Sequence, residues 1–420
     1  MKTSLTPETS EPRVPDERPA LLGPLRSRDF RLLWTGLLFG NLGTWMQFTA
    51  LGYEVVHIAP NEHLAALYVG IIGAARAIPV LVLSPFAGVV ADRFPRRRVL
   101  LATNAITSLL ALALAVIIAR GYGSIAVLAL LSSLQAATQS FDAPARQSWV
   151  PLLVKRDYVA TAIGLNSFAF NAPAAVGPPI AGLIIAAGGV ATCMYANAIL
   201  TIAVLIALVF MQPVAASSTQ REGVFRSIGE GLRFLYDHPV LRWVVLLLVA
   251  TSLLVRPYSF LLPAYAAHIV HTDARGLGVL MAASGFGALC GAILTAALIP
   301  KRRSIIWAAS AILLSAGVAA LGLTTNISIA VVELTFMGLA TLTFLGSSNI
   351  LMQTLSPDNL RGRAISVYSM LVLGFVPAGS LLLGSIASLF NLRETLVVAG
   401  IISVVCTIWV YAAHPKLRAI

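Results

Sequence analysis

Between Leu32 and Ala412 the chain is a succession of apolar stretches divided by short polar loops. Most are close to the roughly 20 residues that a helix needs to cross a bilayer. A bilayer offers its backbone groups no water to bond, so each stretch must satisfy them internally as an α-helix. The stretches run from about Leu32 to Val56, Leu64 to Val90, Val99 to Ala119, Ser124 to Phe141, Val159 to Ala187 and Thr192 to Met211. After a longer polar interval, Gln212 to Arg242, they resume from Trp243 to Val270, Leu277 to Ile299, Ile305 to Leu323, Ile327 to Met352, Ala364 to Phe390 and Thr395 to Ala412. The expectation is an all-α integral membrane protein of twelve transmembrane helices in two six-helix bundles, residues 30–211 and 243–413.

Charge placement orients this array. Short loops rich in Lys and Arg stay on the cytoplasmic side. With both termini cytoplasmic, only Arg120, Arg275 and Arg393 of the 29 Lys and Arg fall in outer loops, and Arg76 and Arg256 fall within spans. Adding or removing one span would scramble that pattern. Residues 1–29 carry Pro12, Pro15, Pro19 and Pro24 but no apolar core or small-residue cleavage site, so they are expected to form a disordered cytoplasmic tail, not a signal peptide. Residues 414–420 are expected to be a short cytoplasmic C-terminus. In the linker, residues 212–242, the apolar side chains of Val224, Phe225, Ile228, Leu232, Leu235 and Tyr236 recur at helical spacing, which predicts an amphipathic helix on the membrane surface.

A net charge of +12 could suggest a nucleic-acid partner, but the basic residues sit in loops between apolar spans and not on one soluble face. Charged residues make up 11% of the chain, against about 25% in soluble domains. Cys193, Cys290 and Cys406 lie inside apolar segments without metal-ligand spacing. There is no nucleophile elbow, catalytic dyad, HExxH or phosphate-binding GxxxxGK[ST] sequence, so neither an enzyme nor ATP drive is expected, and no cofactor or metal is implied.

The densest charge cluster ends the second span: Phe86 to Arg98 reads FAGVVADRFPRRR. Gly88 stands one helical turn before the pair Asp92-Arg93, and Arg96 and Arg97 follow. This spacing resembles the signature loop between helices 2 and 3 of the major facilitator superfamily. The second half carries a weak copy, Pro300-Lys-Arg-Arg303, without the acid. Parallel six-helix halves around a midplane site are the architecture of that superfamily. The resemblance implies that Asp92 engages the N-terminus of the eleventh span and biases alternating access, although Arg93, Arg146 and Arg361 are also possible partners. It also implies that helices 1, 4, 7 and 10 line a central cavity.

Charges within spans are costly and usually functional or paired. Arg76 and Arg256 fall near mid-membrane, Glu333 in the outer half of the tenth span, and Glu54 near the outer end of the first. Arg256 and Glu333 are expected to approach each other or face the cavity in at least one conformation, or else to form a static ion pair. Glu333 is the best single proton-binding candidate. Arg76 has no acidic partner at its depth in the first half and is expected to bond carbonyls freed near Pro79, or alternatively to meet an anionic substrate. Trp45, Gln47, Gln135, Gln139, Tyr258 and Phe336 are cavity candidates, a polar-aromatic set that suits a large amphipathic substrate.

The fifth span reads GLNSFAFNAPAAVGPPIAG. It resembles the fifth-helix motif of superfamily exporters at Gly164, Gly177, Pro178 and Gly182, with Pro173 and Ala181 replacing two of its glycines. Leu25 to Gln47, Asp142 to Val154 and Gln353 to Ala364 are similar to the bacterial secretion-effector branch, which includes the enterobactin exporter and macrolide efflux proteins. The fourth span departs from many proton-coupled exporters in having no arginine within it. The resemblance implies a secondary transporter in the bacterial cytoplasmic membrane that expels a drug, secondary metabolite or siderophore in exchange for protons, for which a monomer suffices. Uptake by the same fold and a non-transporting sensor or scaffold are the alternatives.

Overall fold

The computed structural model describes residues 22–212, 224–298 and 303–418, and the regular elements among them are all helical. The tail before residue 22, the linker from 213 to 223 and the basic turn at 299–302 lie outside the described residues, as do the side chains of Gly88, Asp92 and Arg93. The helices are α1 (Arg28–Ile58), α2 (Glu62–Arg93), α3 (Arg96–Ala119), α4 (Ile125–Trp149), α5 (Val159–Val209), α6 (Val224–Asp237), α7 (Leu241–Leu254), α8 (Tyr258–His268), α9 (Ala274–Leu298), α10 (Arg303–Leu323), α11 (Ile327–Leu355), α12 (Asp358–Leu389) and α13 (Leu392–Ala413). The turns between them are short, and several helices start on a residue that caps their free N–H groups. Asn61 accepts from the Leu64 amide at 2.9 Å and Asn391 from the Glu394 amide at 2.6 Å.

Nine described segments are long and apolar enough to cross a membrane. Helices α1 and α4 are not among them, because polar residues such as Asn41, Thr44 and Gln47 on α1 and Gln135, Gln139 and Asp142 on α4 interrupt their apolar face. Helix α5 is two helices joined at Gly189, whose φ of 81° and ψ of 173° only glycine adopts without strain. On the first arm, Leu165, Ala169 and Gly177 meet Trp34, Asn41 and Trp45 of α1 in parallel order. On the second, Asn197 and Val204 meet Gly43 and Gly36 in antiparallel order. The chain therefore doubles back at one glycine, with a tighter turn than the loop expected between spans five and six.

Three other boundaries depart from expectation. The tail is ordered from residue 22: Gly23 and Pro24 are buried and Ser27 Oγ donates to the Leu153 carbonyl at 2.7 Å. The fourth span, expected to end at Phe141, runs on as α4 through Asp142–Arg146 and past Pro144 to Trp149. The seventh span is broken between α7 and α8, where Pro257 lacks an amide proton and Arg256 N bonds back to the Thr251 carbonyl at 2.8 Å.

The two halves meet along two seams, α2 against α12 and α5 against α9. Both are tightest toward the end carrying the α1–α2 turn. A Cβ added at Gly384 would lie 2.6 Å from the Ala66 carbonyl oxygen, and one at Gly70 would lie 2.6 Å from that of Ser380. In the other seam, Gly278 abuts the Pro178 carbonyl and Gly285 that of Ala174. Toward the end carrying the chain termini, Gly164 on α5 and Gly362 on α12 have no neighbour within 4 Å, and Ser167, Asn171, Ser366 and Ser369 are exposed. Among the described residues the halves thus close at the α1–α2 end and part at the terminal end. Helix α6 braces α12 there: Glu230 pairs with Arg363, and Gly231 rests on the Arg363 carbonyl.

Candidate functional site

The apex of the cleft between the halves is walled by α1, α2 and α8. A small cavity of about 20 Å³ lies there, lined by Phe48, Gly52, Ile72, Arg76, Phe260 and Pro263 among others. Phe48 and Phe260 meet edge to face across the two halves, their centroids 5.2 Å apart, and Trp45 stacks edge to face on Phe48 at 5.8 Å. Arg76 lies roughly 20 Å along α2, at about 1.5 Å per residue, which places it mid-span. It forms no hydrogen bond or ion pair among the described residues, so the expected contact with carbonyls near Pro79 is not made. Arg256 takes a carbonyl instead, donating to Val372 of α12 at 3.2 Å and to Ser252 Oγ at 3.4 Å. Its break in the seventh span puts it one helical turn before Phe260.

Glu333 stands apart from Arg256. One carboxylate oxygen accepts from Thr324 Oγ1 at 2.8 Å, and the other is buried without a hydrogen-bond partner among the described residues. Tyr265 beside it donates to the Thr324 carbonyl at 2.9 Å. At about 1.5 Å per residue, Glu333 lies roughly 9 Å from the start of α11 and Arg256 roughly 18 Å short of the end of α8. The difference in depth, together with their separate partners, accounts for the absence of an ion pair between them in this conformation.

A second, larger cavity of about 310 Å³ lies inside the first half, between α1, α3, α4 and α5. Trp45, Gln47 and Gln139 line it. Gln47 donates to Gln135 Oε1 at 2.5 Å and accepts from Asn197 Nδ2 at 2.6 Å, so two of the expected cavity residues are locked into a buried amide network. Nearer the terminal end, Asp142 accepts from Asn104 at 2.9 Å and pairs with Arg146 at 3.3 Å. Asn104, Arg146 and Asn197 were not singled out as cavity residues from the sequence. The signals were present, as a lone amide in each of two apolar spans and an acid and a base at i,i+4 spacing. Of the remaining candidates, Tyr258 is buried against α9, its hydroxyl 2.9 Å from Ser284 Oγ, and Phe336 is 53% exposed and lines neither cavity.

The signature loop is partly visible. Gly88, Asp92 and Arg93 are on the last turns of α2, and their side chains lie outside the described residues. Arg96 is buried. Arg97 donates to the carbonyls of Leu208 at 3.1 Å and Val209 at 2.6 Å, a cation on the C-terminal end of α5 in its own half. The glycines of the fifth span divide. A Cβ at Gly177 would lie 2.8 Å from that of Trp45, Gly182 abuts the Ala274 carbonyl of the other half, Pro178 is buried in the α5–α9 seam, and Gly164 is open.

A family model described as transmembrane secretion effector matches residues 20–419. The staphyloferrin A transporter of Staphylococcus aureus is 28% identical over 91% of this chain and 95% of its own. The multidrug efflux pump Tap of Mycobacterium tuberculosis is 29% identical over 83% of this chain and 85% of its own. Among solved structures, a bacterial homologue of the lysosomal transporter Spinster, inward-facing and unoccupied, superposes with a TM-score of 0.74 at 14% identity, covering 93% of this chain and 98% of its own.

Proposed function

Because this chain belongs to the transmembrane secretion effector family of the major facilitator superfamily, we propose that it exports an amphipathic organic solute by alternating access, in exchange for protons. In this reading twelve helices span a bacterial cytoplasmic membrane, the two arms of α5 counting as spans five and six and α7 with α8 as span seven. Both termini are cytoplasmic, and a monomer performs the cycle. The α1–α2 end is then the outer face, and the conformation described is inward-open and ready to load from the cytoplasm.

The observation that carries the reading is the asymmetry of the two seams, closed by backbone-to-glycine contact at one end and parted at the other. An exporter must load from the cytoplasm, which in this reading is the open side. The similarity to an efflux pump over most of both chains supports the outward direction. Glu333 is the proton site of this scheme, since its unpartnered buried oxygen is where a proton would remove a desolvation cost. Asp92 is the switch: it docks on the start of α12 when the inner side closes, and Asp92→Asn is expected to insert normally and transport less.

The test uses energised everted proteoliposomes and a luminal pH dye. Addition of a panel of amphipathic drugs and siderophores is expected to release luminal protons, and Glu333→Gln to abolish that release. Solute uptake into everted vesicles without proton movement would remove the antiport. Absence of solute movement in correctly folded protein would remove the export reading itself.

A further inference from the structure

Two arginines stand near mid-membrane on helices that meet at the inter-half cleft, Arg76 lining the apical cavity on α2 and Arg256 at the break between α7 and α8, and among the described residues neither forms an ion pair with a carboxylate. Among the described residues Arg76 makes no hydrogen bond or ion pair, and Arg256 is held by the Val372 carbonyl and the Ser252 hydroxyl. The described acids within the helical bundle are committed elsewhere or lie near the outer face: Asp142 to Arg146, Glu333 to Thr324, and Glu54 near the α3–α4 turn, within reach of Gly123. Both side chains are half-buried, and a cation within a helical bundle that lacks a counter-charge is costly and marks a functional position.

The surroundings narrow what that is. Arg76 shares its cavity with Phe48 and Phe260, and Phe260 follows Arg256 by one helical turn on the other half. The two cations thus stand on opposite halves, which the Phe48–Phe260 pair joins. We propose that the cleft selects amphipathic organic anions, the anionic group bridging Arg76 and Arg256 while the apolar body lies against Phe48, Phe260 and Trp45. Such a ligand would neutralise both halves at once and draw them together, which is what loading must do before the inner side closes. This rests on the export reading for the fate of the bound anion but not for its binding.

The test is equilibrium binding to the purified full-length chain in phosphatidylcholine nanodiscs at pH 7, with 2-naphthoate and its uncharged amide, 2-naphthamide, as the probes. The carboxylate is expected to bind at least tenfold more tightly than the amide. Arg76→Gln and Arg256→Gln should each remove that preference without weakening the amide, and Arg76→Lys should keep most of it. The same anionic chemistry could come from a lipid headgroup. In nanodiscs containing phosphatidylglycerol, native mass spectrometry showing that lipid retained by the wild type and lost from the double Gln variant would identify the lipid as the source. Equal affinity for the two probes with no retained lipid would overturn the proposal, as would a charge preference that survives in a monodisperse double variant. Charge-selective binding without transport would leave the site standing and sink export instead.

Discussion

Phe260 of the second half meets Phe48 of the first edge to face at 5.2 Å, over the cavity that holds Arg76. Such a ring pair contributes about 0.5–1.5 kcal/mol beyond the area it buries, and because it spans the halves it favours only conformations in which the α1–α2 end, the outer end in the proposed orientation, is closed. Phe260→Ala is therefore expected to shift the population toward outward opening by about tenfold. A single cysteine at Val69, which lines that cavity, should react faster with an impermeant maleimide applied from outside. An unchanged rate would show that the glycine seams alone set the closure.

Gly70 tests those seams directly. A Cβ there would lie 2.6 Å from the Ser380 carbonyl oxygen and 3.1 Å from Leu381 Cα, both backbone atoms that cannot rotate away. Gly70→Val is expected to fold, since the clash is between halves, but to hold the outer end ajar. Transport should fall at least tenfold with near-normal yield in the membrane. Wild-type transport would mean that α2 and α12 do not need to close this far.

Asp142 and Arg146 form a pair with only 21% and 11% of their side chains exposed. Removing one partner of a buried pair costs about 3–5 kcal/mol, because the other charge is stranded. Partial exposure puts Asp142→Asn at the lower end of that range, or below it. Its melting temperature in detergent should drop clearly, and Asp142→Asn with Arg146→Gln should recover much of the loss. A double variant no more stable than the single one would show that the pair is not coupled.

His238 sits outside the membrane spans, between α6 and α7, and its Nδ1 accepts from the amides of Val240 at 3.2 Å and Leu241 at 3.1 Å. Burial holds its pKa below the ordinary imidazole value. The unfolded ring then binds a proton more readily than the folded one, so stability contributed here is complete above the unfolded pKa of about 6.5. It is lost as pH falls through the folded value. Hydrogen exchange at the Val240 and Leu241 amides, corrected for intrinsic rate, should accelerate as pH falls below the unfolded pKa of about 6.5 and become independent of this titration in His238→Ala.

The long apolar runs made most of the helices readable, because in a bilayer length and hydropathy decide what spans. The partners of polar side chains were less readable. Arg97 and Arg256 both end on backbone carbonyls, of Leu208, Val209 and Val372, and a carbonyl leaves no mark in a sequence. The break at Pro257 was hidden for a related reason: proline in a span can kink it or divide it, and packing against α12 decides which. Gln47 and Gln135 were identified as polar groups facing inward, yet only the fold shows that they bond each other and Asn197. The seam glycines are legible as small residues, but which carbonyl each one admits follows from the register between the halves.

The single-residue turn at Gly189 leaves the first half no slack. Its two arms are stitched to α1 at Trp34, Asn41 and Gln47, so a tilt of the first arm against α9 is carried into α1 and the second arm together. Joined in this way, α1 and both arms of α5 would move as one body, with the α5–α9 seam as the fulcrum. A displacement of an ångström or so at the α1–α2 closure would be amplified along the length of the helices into a wide opening at the end carrying the chain termini, and a wide mouth can admit solutes of many shapes without any wall residue having to rearrange.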